Sequence, residues 1–86
     1  MKRLICFEPS AWEDYLYWQK TDKPTLRRLN ELILETQRHP FEGIGKPEAL
    51  RFDLSGYWSR RINHEHRLVY KVTDREIIIV QCRLHY

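Results

Sequence analysis

The sequence predicts a single α+β domain: an N-terminal strand, a two-helix hairpin, and an antiparallel sheet packed on the helices. Three observations predict it. Between residues 10 and 37, apolar side chains recur at three- and four-residue spacing, the repeat of helices that bury one face. From about residue 50 the repeat shortens to two, the alternation of strands with one covered face. No repeat or low-complexity segment interrupts the chain, and 86 residues make one domain, 1–86.

Residues 2–7 read as a short strand that stops at Glu8-Pro9. Ser10 with Glu13 fits a capping box, in which hydroxyl and carboxylate satisfy orphan backbone donors reciprocally. A first helix is therefore expected over about residues 10–20, with Trp12, Tyr15, Leu16 and Gln19 on one face. Thr21-Asp22-Lys23-Pro24 ends it and starts the next, because aspartate favours the N-cap and proline the first turn. Leu26, Leu29, Leu32, Ile33 and Thr36 form the apolar stripe of that second helix, which runs to about Gln37. These stripes are core rather than binding surface.

Residues 39–48 are rich in Gly and Pro and read as a loop. Leu50, Phe52 and Leu54 then alternate with Arg51 and Asp53, and Ser55-Gly56 turns the chain. Trp58 and Ile62 alternate with Tyr57, Ser59, Arg61 and Asn63, although Arg60 breaks the pattern on the apolar side. Leu68, Tyr70 and Val72 alternate with Arg67, Val69 and Lys71. After Thr73-Asp74-Arg75, Ile78, Val80, Cys82 and Leu84 are expected to face the core. The same parity puts Arg51, Arg61, Arg67, Lys71, Arg83 and His85 on the open face, as an anion-binding groove requires.

Charge points to the same half. Residues 1–45 carry seven basic and seven acidic side chains; residues 46–86 carry eight and five, so the whole net charge of +3 lies there. A modest surplus suits a polyanionic partner when it is gathered on one face. No apolar run reaches the roughly 20 residues of a membrane span. The start, Met1 to Glu8, lacks the long apolar stretch and small-residue cleavage site of a signal peptide. Cys6 and Cys82 are isolated in apolar surroundings and read as two buried thiols of a reducing cytoplasm. The expected location is cytoplasmic.

Several catalytic plans have no support. There is no phosphate-binding loop, and Gly43-Ile44-Gly45 is too short for a dinucleotide fingerprint. His64 and His66 share a strand face, but no clustered carboxylate or thiol completes a metal site, so no metal and no cofactor are expected. Ser55 or Ser59 with His85 could be drawn as a hydroxyl–base pair, without a nucleophile elbow to support it. RNA cleavage asks for less, because RNA carries its own nucleophile, the 2′-OH. A protein need only align that hydroxyl, remove one proton, donate another and neutralise the phosphorane. Glu48 could be the base and His85 the acid, with Arg61 and Arg67 holding phosphate through forked hydrogen bonds. Taken singly, Glu48 also reads as a solvated loop carboxylate and His85 as a frayed terminus.

The stretch Trp12-Glu13-Asp14-Tyr15-Leu16-Tyr17-Trp18-Gln19 and the loop Pro40-Phe41-Glu42-Gly43-Ile44-Gly45-Lys46-Pro47-Glu48 carry a resemblance. So do Leu54-Ser55-Gly56-Tyr57-Trp58-Ser59-Arg60-Arg61-Ile62, Glu65-His66-Arg67-Leu68-Val69-Tyr70 and the ending His85-Tyr86. Together they strongly resemble the YoeB (Txe) family of toxins, within the RelE superfamily, over almost the full chain. The resemblance implies the RelE-like fold and a toxin of a type II toxin–antitoxin system. It implies ribosome-dependent, metal-independent endoribonuclease cleavage of mRNA in the A site of the 70S ribosome, inhibiting translation. It further implies neutralisation by a YefM-like antitoxin and a homodimer or toxin–antitoxin hetero-oligomer.

By the same resemblance Glu48 is the general base, His85 the general acid, Arg67 the main phosphate stabiliser, and Tyr86 a terminal aromatic that positions RNA. Arg61 matches an arginine near the phosphate, and Lys46 supports RNA or ribosome contact. Arg51 stands where some members have lysine, and Leu84 where some carry an aromatic. Arg83 is a further candidate for RNA contact. A rival within the superfamily is a ParE-like toxin that binds gyrase without cleaving RNA; such a protein should lack the set Glu48, Arg67 and His85-Tyr86. A simple RNA-binding module would place more aromatics on the open face than Tyr57 and Tyr86.

Overall fold

A computed structural model describes residues 2–84. Its elements are β1 (Leu4–Phe7), α1 (Pro9–Thr21), α2 (Lys23–Arg38), β2 (Glu48–Ala49), a 3₁₀ turn (Phe52–Leu54), β3 (Tyr57–Arg61), β4 (Arg67–Val72) and β5 (Glu76–Gln81). The five strands form one mixed sheet in the order β1-β5-β4-β3-β2. β2 to β5 are an antiparallel meander, and β1 adds to its far edge parallel to β5. This is the α+β arrangement expected, with both helices layered on one face of the sheet.

The helix boundaries follow from local chemistry. Asp22 caps α2, its carboxylate accepting from the Thr25 amide at 3.0 Å. That amide holds the Asp22 carboxyl below its ordinary value. α1 starts differently from expectation. Its N-cap is Glu8, with no side-chain cap, and Pro9 occupies the first turn, where its missing N–H costs nothing. Ser10 is therefore already inside the helix, and the Ser10–Glu13 capping box does not form.

Residues buried from α1 are Ala11 and Trp18, with half-buried Tyr15 packed against them, an i, i+4, i+7 stripe. Trp12, expected in the core, is 47% exposed and stacks on Tyr15 at 5.6 Å between ring centroids. From α2 come Leu29, Leu32 and Thr36. Leu29 and Leu32 share one core with Leu68 and Tyr70 of β4 and Ile77 and Ile79 of β5. Each fully buried aliphatic side chain contributes about 1.5–3 kcal/mol of transfer free energy.

Two sheet expectations are corrected. Residues 50–54 do not continue as a strand. β2 ends at Ala49, and the chain enters a 3₁₀ turn in which Phe52 has φ +57° and is 91% exposed. Leu50 alone of the three apolar positions is buried; it is held where its amide donates to Tyr57 O at 2.9 Å. The parity of β5 is also inverted: Ile77 and Ile79 are fully buried, while Ile78 and Val80 are half-buried. A bulge explains why Cys82 nevertheless reaches the core. Val69 pairs with Gln81 and Tyr70 with Ile79, so Val80 is the extra residue and the alternation flips after it. Leu84, expected inside, is 51% exposed.

Candidate active site

The Gly/Pro-rich loop that delivers Glu48 is organised by the residue that broke the strand pattern. Arg60 is fully buried. Its Nη2 donates to His39 O at 2.5 Å and Glu42 O at 2.9 Å, and Nη1 donates to Ile44 O at 2.8 Å. Nε donates to Tyr70 Oη at 3.1 Å, and that hydroxyl donates to Pro40 O at 2.7 Å. Burial pushes the Tyr70 phenol above its ordinary value although Arg60 draws it down, so the hydroxyl keeps its proton for Pro40. A loop without regular structure must place its carbonyls somewhere, and one planar fork satisfies three of them. The sequence signal was present, a cation on the apolar side of a strand after a loop with few partners of its own.

Downstream of that clamp, Gly45 O accepts from Arg61 N at 2.7 Å, and Lys46 follows with φ +51°. The chain then enters β2 with Glu48 opposite Ser59 of β3. Arg61 lies two residues beyond Ser59 on the same face of β3, directly opposite Arg67 of β4. Glu48 and Arg61 are thus diagonal cross-strand neighbours, about 7–8 Å apart at their backbones, within reach of long side chains. Glu48 and Arg61 are exposed, and Arg67 is half-buried. The Arg67 fork is steadied by Nη1, which donates to Asn63 O at 2.8 Å and His66 O at 3.1 Å.

Lys46 and Arg61 share a cleft of about 290 Å³ with Arg28 and His64. Glu48 and Arg51 line a separate one of about 650 Å³ beside Phe52. The structure therefore brings Glu48, Arg61 and Arg67 onto one face and places Lys46 at its margin. Arg51 sits at the head of the 3₁₀ turn rather than on a strand. Arg83 does not join the open face as parity suggested. Its guanidinium lies 3.6 Å over the ring of Tyr17 in α1, a cation–π contact made beyond the end of β5. His85 and Tyr86 lie outside the described residues.

The segment leading to them is anchored. Trp18 Nε1 donates to Cys82 O at 2.8 Å, and Cys82 N donates to the Asp14 carboxylate at 3.1 Å. Arg67 N donates to Leu84 O at 3.1 Å, and Leu84 N donates to His66 Nδ1 at 2.7 Å. Sequence reasoning weighed His66 only as a metal ligand and gave Asp14 no role. Among the described residues, no three His, Cys, Asp or Glu side chains cluster to hold a metal ion. No helix among them is long and apolar enough to cross a membrane.

The family model of the YoeB-like toxin of bacterial type II toxin–antitoxin systems matches residues 7–86. The chain belongs to that family. It is 61% identical to Toxin YoeB of Escherichia coli (strain K12) over 82 residues, covering 95% of this chain and 98% of that one. Among solved structures it resembles the YoeB dimer from Staphylococcus aureus, with a TM-score of 0.92, 52% identity and full coverage of both chains. It also resembles YoeB in the YoeB–YefM complex from the same organism, with a TM-score of 0.90, 50% identity and full coverage of both. The YoeB family therefore accounts for the sheet, the helical hairpin and the loop that carries Glu48.

Proposed function

We propose that this YoeB-family toxin is a ribosome-dependent endoribonuclease that cleaves mRNA in the A site of the 70S ribosome and so stops translation. The observation that carries the reading is the placement of Glu48, Arg61 and Arg67 on three successive strands of one open face. Glu48 acts as general base and takes the proton of the 2′-OH. The freed 2′-oxygen attacks the adjacent phosphorus, and the bond from phosphorus to the 5′-oxygen breaks. His85 acts as general acid and protonates that leaving oxygen, so the products are a 2′,3′-cyclic phosphate and a 5′-hydroxyl. Arg67, with Arg61 beside it, stabilises the charge that builds on the phosphorane, where forked donors act best. Tyr86 positions the RNA, and Lys46 and Arg51 contact its backbone at the margins. Arg83, committed to Tyr17, supports the chain end rather than the phosphate.

No metal or cofactor is needed in this scheme, because the nucleophile belongs to the substrate and two side chains move the protons. The ribosome supplies what a face this small cannot, a fixed path for single-stranded mRNA. A YefM-like antitoxin is the expected neutralising partner, in a hetero-oligomer or beside a toxin dimer; the Staphylococcus aureus relatives have been solved both as a dimer and with YefM. The site of action is the bacterial cytoplasm. Primer extension on a defined mRNA, with and without ribosomes, tests the reading. Toxin stripped with EDTA before mixing should cut only ribosome-bound mRNA. Cutting that returns only when a transition metal is added back to the toxin would overturn the metal-free scheme.

A further inference from the structure

His66 is 8% exposed and immediately precedes β4, its ring packed inward against α1. The Trp18 indole of α1 meets its ring edge-on, with centroids 4.6 Å apart. Its backbone amide is tied to Asn63 Oδ1 at 2.9 Å, and its carbonyl accepts from Ile62 N at 3.0 Å, so the ring's base cannot drift. The Nδ1 atom accepts the Leu84 amide proton at 2.7 Å. Only an unprotonated Nδ1 can accept, so the ring is the neutral tautomer with its proton on Nε2, which lies 3.7 Å from Glu65 Oε1. The charged groups around it are Glu65 on its own turn, Arg67 next in β4, and Asp22 at the α1–α2 junction.

Leu84 is held from both sides, its amide by the His66 ring and its carbonyl by Arg67 N at 3.1 Å. It adopts φ +66°, a left-handed conformation that a leucine takes only where its surroundings impose it. Leu84 immediately precedes His85 in the chain. The same segment thus steadies the Arg67 fork through His66 O and fixes the peptide before the proposed acid through the His66 ring.

We propose that His66 is a positioning residue: by accepting the Leu84 amide proton, its neutral imidazole fixes the point from which His85 and Tyr86 depart and so sets the turnover of RNA cleavage. The inference rests on the reading of His85 as the general acid. An acid misplaced by about 1 Å loses about 10²-fold in rate, because proton donation demands hydrogen-bond distance to the leaving oxygen. His66, buried against Trp18, does this without touching RNA.

The test uses the full-length toxin on ribosomes programmed with a defined mRNA, comparing wild type, His66→Phe and His66→Asn. Phenylalanine keeps the ring and its packing on Trp18 but has no acceptor; asparagine offers an acceptor at the δ position. His66→Phe is expected to lower kcat about 10²-fold with KM within about threefold, and His66→Asn to recover most of the loss. In amide hydrogen exchange of the free proteins, Leu84 should lose protection in His66→Phe and regain it in His66→Asn. Wild-type kcat in folded His66→Phe overturns the inference, and so does unchanged Leu84 protection. Should His66→Phe fail to fold, the wild-type imidazole nitrogen shifts decide: a proton on Nδ1 overturns the inference, and a bare Nδ1 coupled to the Leu84 amide supports it. Wild-type toxin that leaves ribosome-bound mRNA intact sinks the nuclease reading and its kinetic consequence, a failure the Leu84 exchange data separate from a failure of the anchor.

Discussion

Arg61 of β3 and Arg67 of β4 stand directly opposite each other across the strand pair, two cations in register on one open face. Like charges placed this way are unfavourable by about 0.2–1 kcal/mol, and a fold retains them only at a cost to its stability. An anion bridging the two would remove the repulsion, as a phosphate between strands does.

The expected signature is opposite effects on stability and activity. Arg61→Ala should leave the unfolding free energy unchanged or raise it by about 0.2–1 kcal/mol while slowing cleavage. Arg67→Ala should slow single-turnover cleavage by about 10²–10³-fold, and Glu48→Ala by about 10²–10⁴-fold. Denaturant titration beside the kinetics checks both sides. A wild-type rate in Arg67→Ala or Glu48→Ala would remove that residue from the chemistry.

Arg60 should behave in the contrary way, as a stability residue that acts on the site from behind. Arg60→Met keeps the apolar stem but strands the carbonyls of His39, Glu42 and Ile44. The loss is expected to be about 2–4 kcal/mol, since each buried polar group left without a partner costs about 1–3 kcal/mol and the outer carbonyls recover water. Limited proteolysis should then cut first within residues 39–47. Cleavage spread evenly along the chain would show that the clamp is not local.

Local rules carried the reading of the sequence where local chemistry decides. The Asp22-Lys23-Pro24 cap and the Leu29, Leu32, Thr36 stripe stand as expected, because a cap and a helical period depend on neighbours a few residues away. What failed depends on pairing between strands. Nothing at Val80 marks it as the bulge residue, and without the bulge the alternation of β5 runs one residue out of step. Leu50, Phe52 and Leu54 alternate like a strand, but a strand also needs a partner, and β3 pairs only as far as Ala49. In the site, Arg61 and Arg67 were legible by parity, whereas Glu48 was read as the end of a loop and stands on β2. The work of His66 and Asp14 was not, because each binds a backbone amide distant in sequence, and Arg60 showed only as a cation out of pattern.

Two glycines should respond differently to alanine. Gly45 has φ +84°, and a Cβ there would lie 2.7 Å from Leu32 Cδ2 and 3.1 Å from Arg60 Cβ. Gly56 has φ +94° but open space around it. Gly56→Ala should therefore cost only the left-handed backbone penalty of about 1–2 kcal/mol. Gly45→Ala should cost more and also slow cleavage, because Gly45 O holds Arg61 N. Thermal melts of the two variants rank them, and equal losses would contradict the packing around Gly45.

Burial pushes the Cys82 thiol up to about 12 from an ordinary value of 9.0, with the Asp14 charge adding to the effect. Below pH 9 the thiol is neutral in both folded and unfolded chains, and its contribution to stability is constant. Between about 9 and about 12 the unfolded chain gives up the proton and the folded one keeps it, so stability falls as pH rises through that window. Unfolding titrations from pH 8 upward should show this slope, and Cys82→Ala should reduce it at the expense of a lower plateau. A slope identical in the variant would assign the alkaline loss to other groups. Thiol reagents at pH 8 should label Cys82 only under denaturant.

The position of β5 between β1 and β4 also governs when the fold can exist at all. Synthesis makes β1, α1 and α2 first, yet among the described residues β1 pairs with residues 76–81, and Trp18 finds the carbonyl for its indole at Cys82. The helices and the β3–β4 hairpin can assemble from near neighbours, whereas the parallel pairing of β1 with β5 spans almost the whole sequence and must come late. For more than half of its elongation a nascent copy has β1 and two helices with no sheet beneath them, because β2 to β5 all lie within residues 48–81. A copy whose β5 is still held inside the ribosome therefore cannot have closed its sheet.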